Sequence, residues 1–114
     1  MITYWHNPRC SKSRAGLAFF EEHGVTVEQR RYLEDAPSRD ELATVLAKLN
    51  VSAIEMMRSK DKLFKELALS ADMTDAQLLD AMAANPALIE RPIAISDDKA
   101  AIGRPTKALA ALLA

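Results

Sequence analysis

The chain has 114 residues, 49% hydrophobic and 27% charged, with 15 Lys and Arg against 16 Asp and Glu. That length suits one domain, at about 100–200 residues each, and the apolar share excludes a disordered or linker-like chain. A net charge of −1 gives no field that would draw nucleic acid or an anionic membrane, and a single cysteine excludes an internal disulfide or a Cys-rich zinc site.

Ile2 to Trp5 is short, β-branched and aromatic, so it reads as an opening strand, broken by Asn7-Pro8. A helix is expected from Ser11, through Ala15, Leu17, Ala18 and Phe20, closing at Gly24 as its C′ residue. Val25 to Leu33 is the second strand, and a helical crossover between the two makes them parallel and right-handed. Pro37 marks a loop, and Ser38-Arg39-Asp40-Glu41 is a capping box opening a helix whose apolar face is Leu42, Val45, Leu46 and Leu49. Ser52 to Glu55 repeats the signal, for a helix through Met57 and Arg58, and a short helix follows over Lys62 to Leu67. Thr74 caps another helix with Leu78, Leu79 and Met82 inward, stopped before Asn85-Pro86. Pro92 to Ile95 and Ala100 to Ile102 form a hairpin across Ser96 to Lys99. Gly103-Arg104-Pro105-Thr106 then leads into a final Ala- and Leu-rich helix with Pro105 in its first turn.

The order is β-α-β, a helical insert of about 38–85, then β-β-α. This is the thioredoxin-like arrangement of an α/β fold with a mixed central sheet, here as a single domain. In it the loop after the first strand, at the mouth of the first helix, carries Cys10. No apolar stretch approaches the ~18 residues a membrane span needs. The N-terminal segment is too polar for a signal peptide, so a cytoplasmic chain is expected.

A free thiol with a pKa near 8.5 is only about 3% ionised at pH 7. Helix N-terminal amides and nearby cations favour the thiolate, and His6, Arg9, Lys12 and Arg14 all lie within a few residues of Cys10. The exposed amides of the stretch Ser11-Lys12-Ser13-Arg14 also suit an incoming oxyanion. The plainer alternative is that Cys10 is a small buried hydrophobe. Its polar, basic, Pro-punctuated loop favours the reactive reading. Ser13 stands where a Cys-x-x-Cys motif would carry its second sulfur, so a mixed disulfide on Cys10 must be resolved by another molecule. His6 is open to two readings, a partner lowering the thiol pKa or an ordinary strand-end histidine. With Cys10 it makes at most half a metal site, so no metal is expected. Arg91 and Arg104 each directly precede a proline at a strand end, where they can face the Cys10 loop, and Pro92 is a candidate cis proline. Arg58 ends a short helix of the insert.

These residues resemble the glutaredoxin-linked bacterial arsenate reductases and their small uncharacterised relatives. The matching stretches are His6 to Arg14, Tyr32-Leu33-Glu34, Met56-Met57-Arg58, Lys65-Glu66-Leu67, Glu90-Arg91-Pro92-Ile93 and Ile102-Gly103-Arg104-Pro105. The stretch Ser11-Lys12-Ser13-Arg14 places the chain nearer the uncharacterised branch, because relatives with demonstrated arsenate reduction usually carry Gly-Thr-Ser-Arg there. The resemblance implies Cys10 as nucleophile and His6 as its pKa-lowering neighbour. It also implies that Arg58, Arg91 and Arg104 converge on the oxyanion and that Pro92 is cis. Glutathione would be a co-substrate, glutaredoxin the partner and arsenate or a similar oxyanion the substrate, with no bound cofactor and a monomeric chain. A protein deglutathionylase on the same site is the competing enzyme. A polymerase-binding regulator is the competing binding protein, though Ser13 removes the Cys-x-x-Cys switch such relatives typically carry.

Overall fold

The computed structural model describes residues 1–113. The chain divides into two compact units, Met1–Asp35 together with the chain from Arg91 onward, and Ala36–Glu90.

The first unit is built on a four-stranded sheet of β1 (Ile2–Trp5), β2 (Val27–Arg30), β3 (Ile93–Ile95) and β4 (Ala100–Ile102), in the spatial order β2-β1-β3-β4. β1 and β2 are parallel, whereas β3 runs antiparallel to both β1 and β4, so the sheet is mixed as expected. Tyr4 lies opposite Gln29 on one side and Ala94 on the other, which centres it on the sheet. Helix α1 (Ser11–Glu22) supplies the crossover. It ends in a Schellman motif: Gly24, at φ 69°, donates to the carbonyl of Glu21, and Val25 donates to that of Phe20. That motif takes Val25 and Thr26 out of the second strand. At the other end, turns through Arg31, Glu34 and Asp35 withdraw the backbone from the ladder. The observed strand is therefore shorter than the apolar run 25–33 implies.

The tail also differs from expectation, since Thr106–Leu112 is a 3-10 helix with Pro105 just ahead of it. Residues i and i+3 eclipse in that geometry, which puts both Leu109 and Leu112 against the cluster of Tyr4, Phe20, Ala94 and Ala101. Gly16 sits where a Cβ would meet the Tyr4 hydroxyl, so α1 approaches the sheet as closely as a backbone can. Gly103 is hemmed in similarly by Pro92 and Leu109.

The second unit is helical: α2 (Arg39–Leu49), α3 (Lys62–Glu66) and α4 (Asp75–Ala84), with 3-10 turns at Ala53–Met56 and Pro86–Leu88. The capping boxes at Ser38, Ser52 and Thr74 all form. The second opens only a 3-10 turn rather than a helix reaching Arg58. Met57 turns extended and bridges Ile89, and Arg58 N–H and Glu90 N–H donate to the carbonyls of Leu88 and Met56. Leu42, Val45, Leu46, Leu78, Leu79 and Met82 are buried, and Leu49 is half-buried.

Two leucines at the end of the chain test this packing. Leu109 is wholly buried and Leu113 is exposed. Leu109→Ala is expected to cost about 2–5 kcal/mol and to lower Tm by on the order of 10 °C. Leu113→Ala should stay within about 0.5 kcal/mol. Thermal unfolding of the two variants side by side is the check.

Candidate active site

Cys10 is the N-cap of α1, with extended backbone angles (φ −93°, ψ 123°). The turn ahead of it is closed by its own N–H donating to the Asn7 carbonyl at 3.0 Å, while Asn7 Oδ1 accepts from the Arg9 amide. Arg14 Nη1 donates to the Pro8 carbonyl at 2.8 Å. Thus Asn-Pro-Arg-Cys is a stapled turn. Asn7 bonds the backbone two residues on and Pro8 fixes φ, the two side-chain types that favour such a turn.

Capping places the Cys10 sulfur where an N-cap oxygen would accept from the helix amides. The geometry falls short of a capping hydrogen bond, yet those amides still act on the thiol. Burial pushes the Cys10 pKa up and is the largest single influence. Against it act the Ser13 amide, the Arg91 charge, the Lys12 amide and a hydrogen bond from Arg91, and the net direction is down. Cys10 as a whole is sheltered, at 9% exposure.

Two of the three arginines singled out in the sequence meet at this sulfur. Arg91 acts on it by charge and hydrogen bond, and its Nε and Nη1 atoms are buried. Arg104 donates from Nε to the Arg91 carbonyl at 2.7 Å and extends Nη2 to within 3.8 Å of Cys10 Sγ. Both precede prolines, and both Arg-Pro bonds are cis, including that of Pro92. Arg58 belongs to the second unit, where its Nη2 pairs with Asp61 Oδ2 at 3.0 Å. Asp61 also caps α3 by accepting from the Leu63 amide.

His6 is placed differently from a thiol-activating cation. It is buried, and its Nδ1 shares a hydrogen bond with Ser13 Oγ at 2.7 Å. Burial, and then the charges of Arg31 and Arg14, lower its pKa, which favours the uncharged ring at neutral pH, and an uncharged ring gives the Cys10 thiolate no cationic stabilisation. Ser13 is the hub. Its hydroxyl accepts from the Asn7 amide and bonds His6, its carbonyl accepts from the Tyr4 hydroxyl at 2.6 Å, and its own amide faces the sulfur. Burial holds the Tyr4 phenol well above its ordinary pKa, so it remains a donor. Among the four residues expected to cradle an oxyanion, Ser11 and Lys12 are exposed at the helix mouth. The Ser13 hydroxyl and the Arg14 Nη1 atom are engaged within the loop itself.

The sequence marks Asn7 only as a strand breaker and Tyr4 only as part of the first strand. A strand tyrosine reads as core, and only the register that sets it beneath Ser13 reveals its second task. Among the described residues, no three His, Cys, Asp or Glu side chains gather as a metal site, and no helix is long and apolar enough to cross a membrane.

The ArsC family model matches residues 5–112. A protein of Neisseria meningitidis named arsenate reductase is 47% identical over 114 residues, covering 98% of this chain and 97% of that one. One of the same name from Haemophilus influenzae is 42% identical, covering 98% of each. The solved structure of an arsenate reductase from Vibrio cholerae superposes with a TM-score of 0.88 at 42% identity, over 93% of this chain and 92% of that one.

The electrostatic balance at Cys10 has a measurable sign. Removing the leading cation by Arg91→Ala should move the pH profile of Cys10 alkylation to higher pH, while Arg91→Lys should restore part of the shift. Because the folded thiol has the lower pKa, the unfolded chain binds more protons between the folded value and about 8.5. The Cys10 contribution to stability is therefore present above about 8.5 and lost as pH falls through the folded value. Denaturant titrations across that range should show stability rising with pH, with a shallower slope in Cys10→Ser.

Proposed function

The chain belongs to the ArsC family, and from that premise we propose that it reduces arsenate to arsenite through the Cys10 thiolate, with glutathione as reductant. The observation that carries the reading is a thiol of lowered pKa at a helix mouth with two guanidiniums beside it. Arsenate, like phosphate, carries between roughly one and two negative charges at neutral pH. Planar arginine forks bind such oxygens two at a time.

In the proposed reaction, Arg91 and Arg104 hold the oxyanion while the Cys10 thiolate attacks arsenic and water or hydroxide departs. Charge that builds on the oxygens is met by the same guanidiniums and by the first amides of α1. Glutathione thiolate then attacks the Cys10 sulfur. The new S–S bond leaves the electron pair of the S–As bond on arsenic, so As(V) departs as As(III) and the two thiols become a disulfide. With serine at position 13 the chain offers no second sulfur there to resolve this mixed disulfide, and glutaredoxin is proposed to take the glutathionyl group from Cys10. The electrons come from thiols, so the scheme calls on no bound cofactor. It also fits a reducing cytoplasm.

Arsenate-dependent NADPH consumption, coupled through glutathione, glutaredoxin and glutathione reductase, tests the proposal. Wild-type protein should turn over arsenate and Cys10→Ser should not. Arg91→Ala and Arg104→Ala should each lower kcat/KM by about 10²-fold. A wild-type rate no higher than that of Cys10→Ser would remove arsenate as the substrate.

A further inference from the structure

A cavity of about 250 Å³ opens beside the Cys10 turn, its walls including Pro8, Arg9, Arg31, Leu33 and Glu34. Pro8 and Arg9 belong to the stapled turn that ends at Cys10, while Arg31, Leu33 and Glu34 follow directly on β2. The walls carry two guanidiniums, one carboxylate and an apolar strip in which Leu33 is 46% exposed. Arg31 is close enough for its charge to act on His6. None of these side chains has a part in the arsenate scheme, and Arg9, Arg31 and Glu34 all stand exposed.

Two cations and one anion around a small apolar floor complement a ligand with two carboxylates, one ammonium and a short methylene stem. We propose that this cavity seats the peptide thiol that attacks Cys10, a class to which glutathione belongs. Its carboxylates are taken by Arg9 and Arg31, its ammonium by Glu34, and its γ-glutamyl methylenes lie on Leu33 and Pro8. Arg9, in the wall of the cavity, is the residue directly before Cys10, so the seated peptide lies against the turn that carries the thiol. The proposal rests on the reading of Cys10 as a nucleophile resolved by an external thiol. To that reading it adds a binding site and a specificity.

Thiol–disulfide exchange without arsenate isolates the claim. The Cys10 thiolate attacks one sulfur of glutathione disulfide, a Cys10–glutathione disulfide forms, and one glutathione thiolate leaves, so one S–S bond replaces another. The measured quantity is the second-order rate constant for glutathione disulfide divided by that for bis(2-hydroxyethyl) disulfide, which is neutral. Arg31→Gln should lower this ratio about fivefold, the loss of roughly 1 kcal/mol of charge recognition.

Glu34→Gln separates a fitted site from a general positive field. A field would attract the anionic disulfide more strongly once the carboxylate is gone, raising the ratio. A site that holds the ammonium loses a contact, and the ratio falls. A fall in both variants supports the cavity. A ratio that stays at the wild-type value in either variant, or rises in Glu34→Gln, overturns it. Arsenate takes no part in the exchange, so this result stands apart from whether arsenate is reduced.

Discussion

Burial and charge pull the Cys10 sulfur in opposite directions, and the first unit is arranged so that charge wins. A sheltered thiol would ordinarily keep its proton. Here the first amides of α1 and the Arg91 guanidinium outweigh the loss of water. Arg104, tied by its Nε to the Arg91 carbonyl, brings a second guanidinium to the same sulfur. The cost of desolvation is also what makes the anion site useful, because the same guanidiniums act more strongly on an oxyanion where water is partly excluded.

That balance depends on a distance fixed by packing. Gly16 lets α1 lie directly on Tyr4, whose hydroxyl reaches the Ser13 carbonyl, and Ser13 Oγ is held in turn by Asn7 and His6. The first turn of the helix is therefore set against the sheet by three hydrogen bonds to one small residue. His6 contributes as a neutral, buried member of this clamp rather than as a charge beside the sulfur. Both arginines leave the sheet from strand ends, Arg91 ahead of β3 and Arg104 after β4, so the hairpin places both arginines at one end of the sheet.

Much of this was legible in the residues. Local chemistry announced the elements whose signals are local: the capping boxes at Ser38 and Thr74, the Gly24 stop, and the Ser96–Lys99 turn between β3 and β4. The readings that differed involved competition between local and distant partners. Val25 and Thr26 look like strand but belong to the helix stop. Met57 looks helical but is drawn into a bridge with Ile89. The Ala- and Leu-rich tail winds as a 3-10 helix, with Leu109 and Leu112 both against one cluster. At the site, the cysteine and the two Arg-Pro pairs could be picked out by type and neighbours. The tasks of Tyr4 and Ser13 could not, since they follow from the register of β1 under α1. Nor does a basic neighbourhood in sequence reveal that Arg14 staples the Pro8 carbonyl, or that burial lowers the His6 pKa.

Ultraviolet titration of the thiolate in wild-type protein, with Cys10→Ser as the blank, addresses the central claim most directly, because it reads the ionisation of this one sulfur. An apparent pKa below the free-thiol value of about 8.5 is the predicted result. A value at or above it would mean that burial prevails over the amides and guanidiniums, contradicting the account of Cys10 as a nucleophile ready at neutral pH.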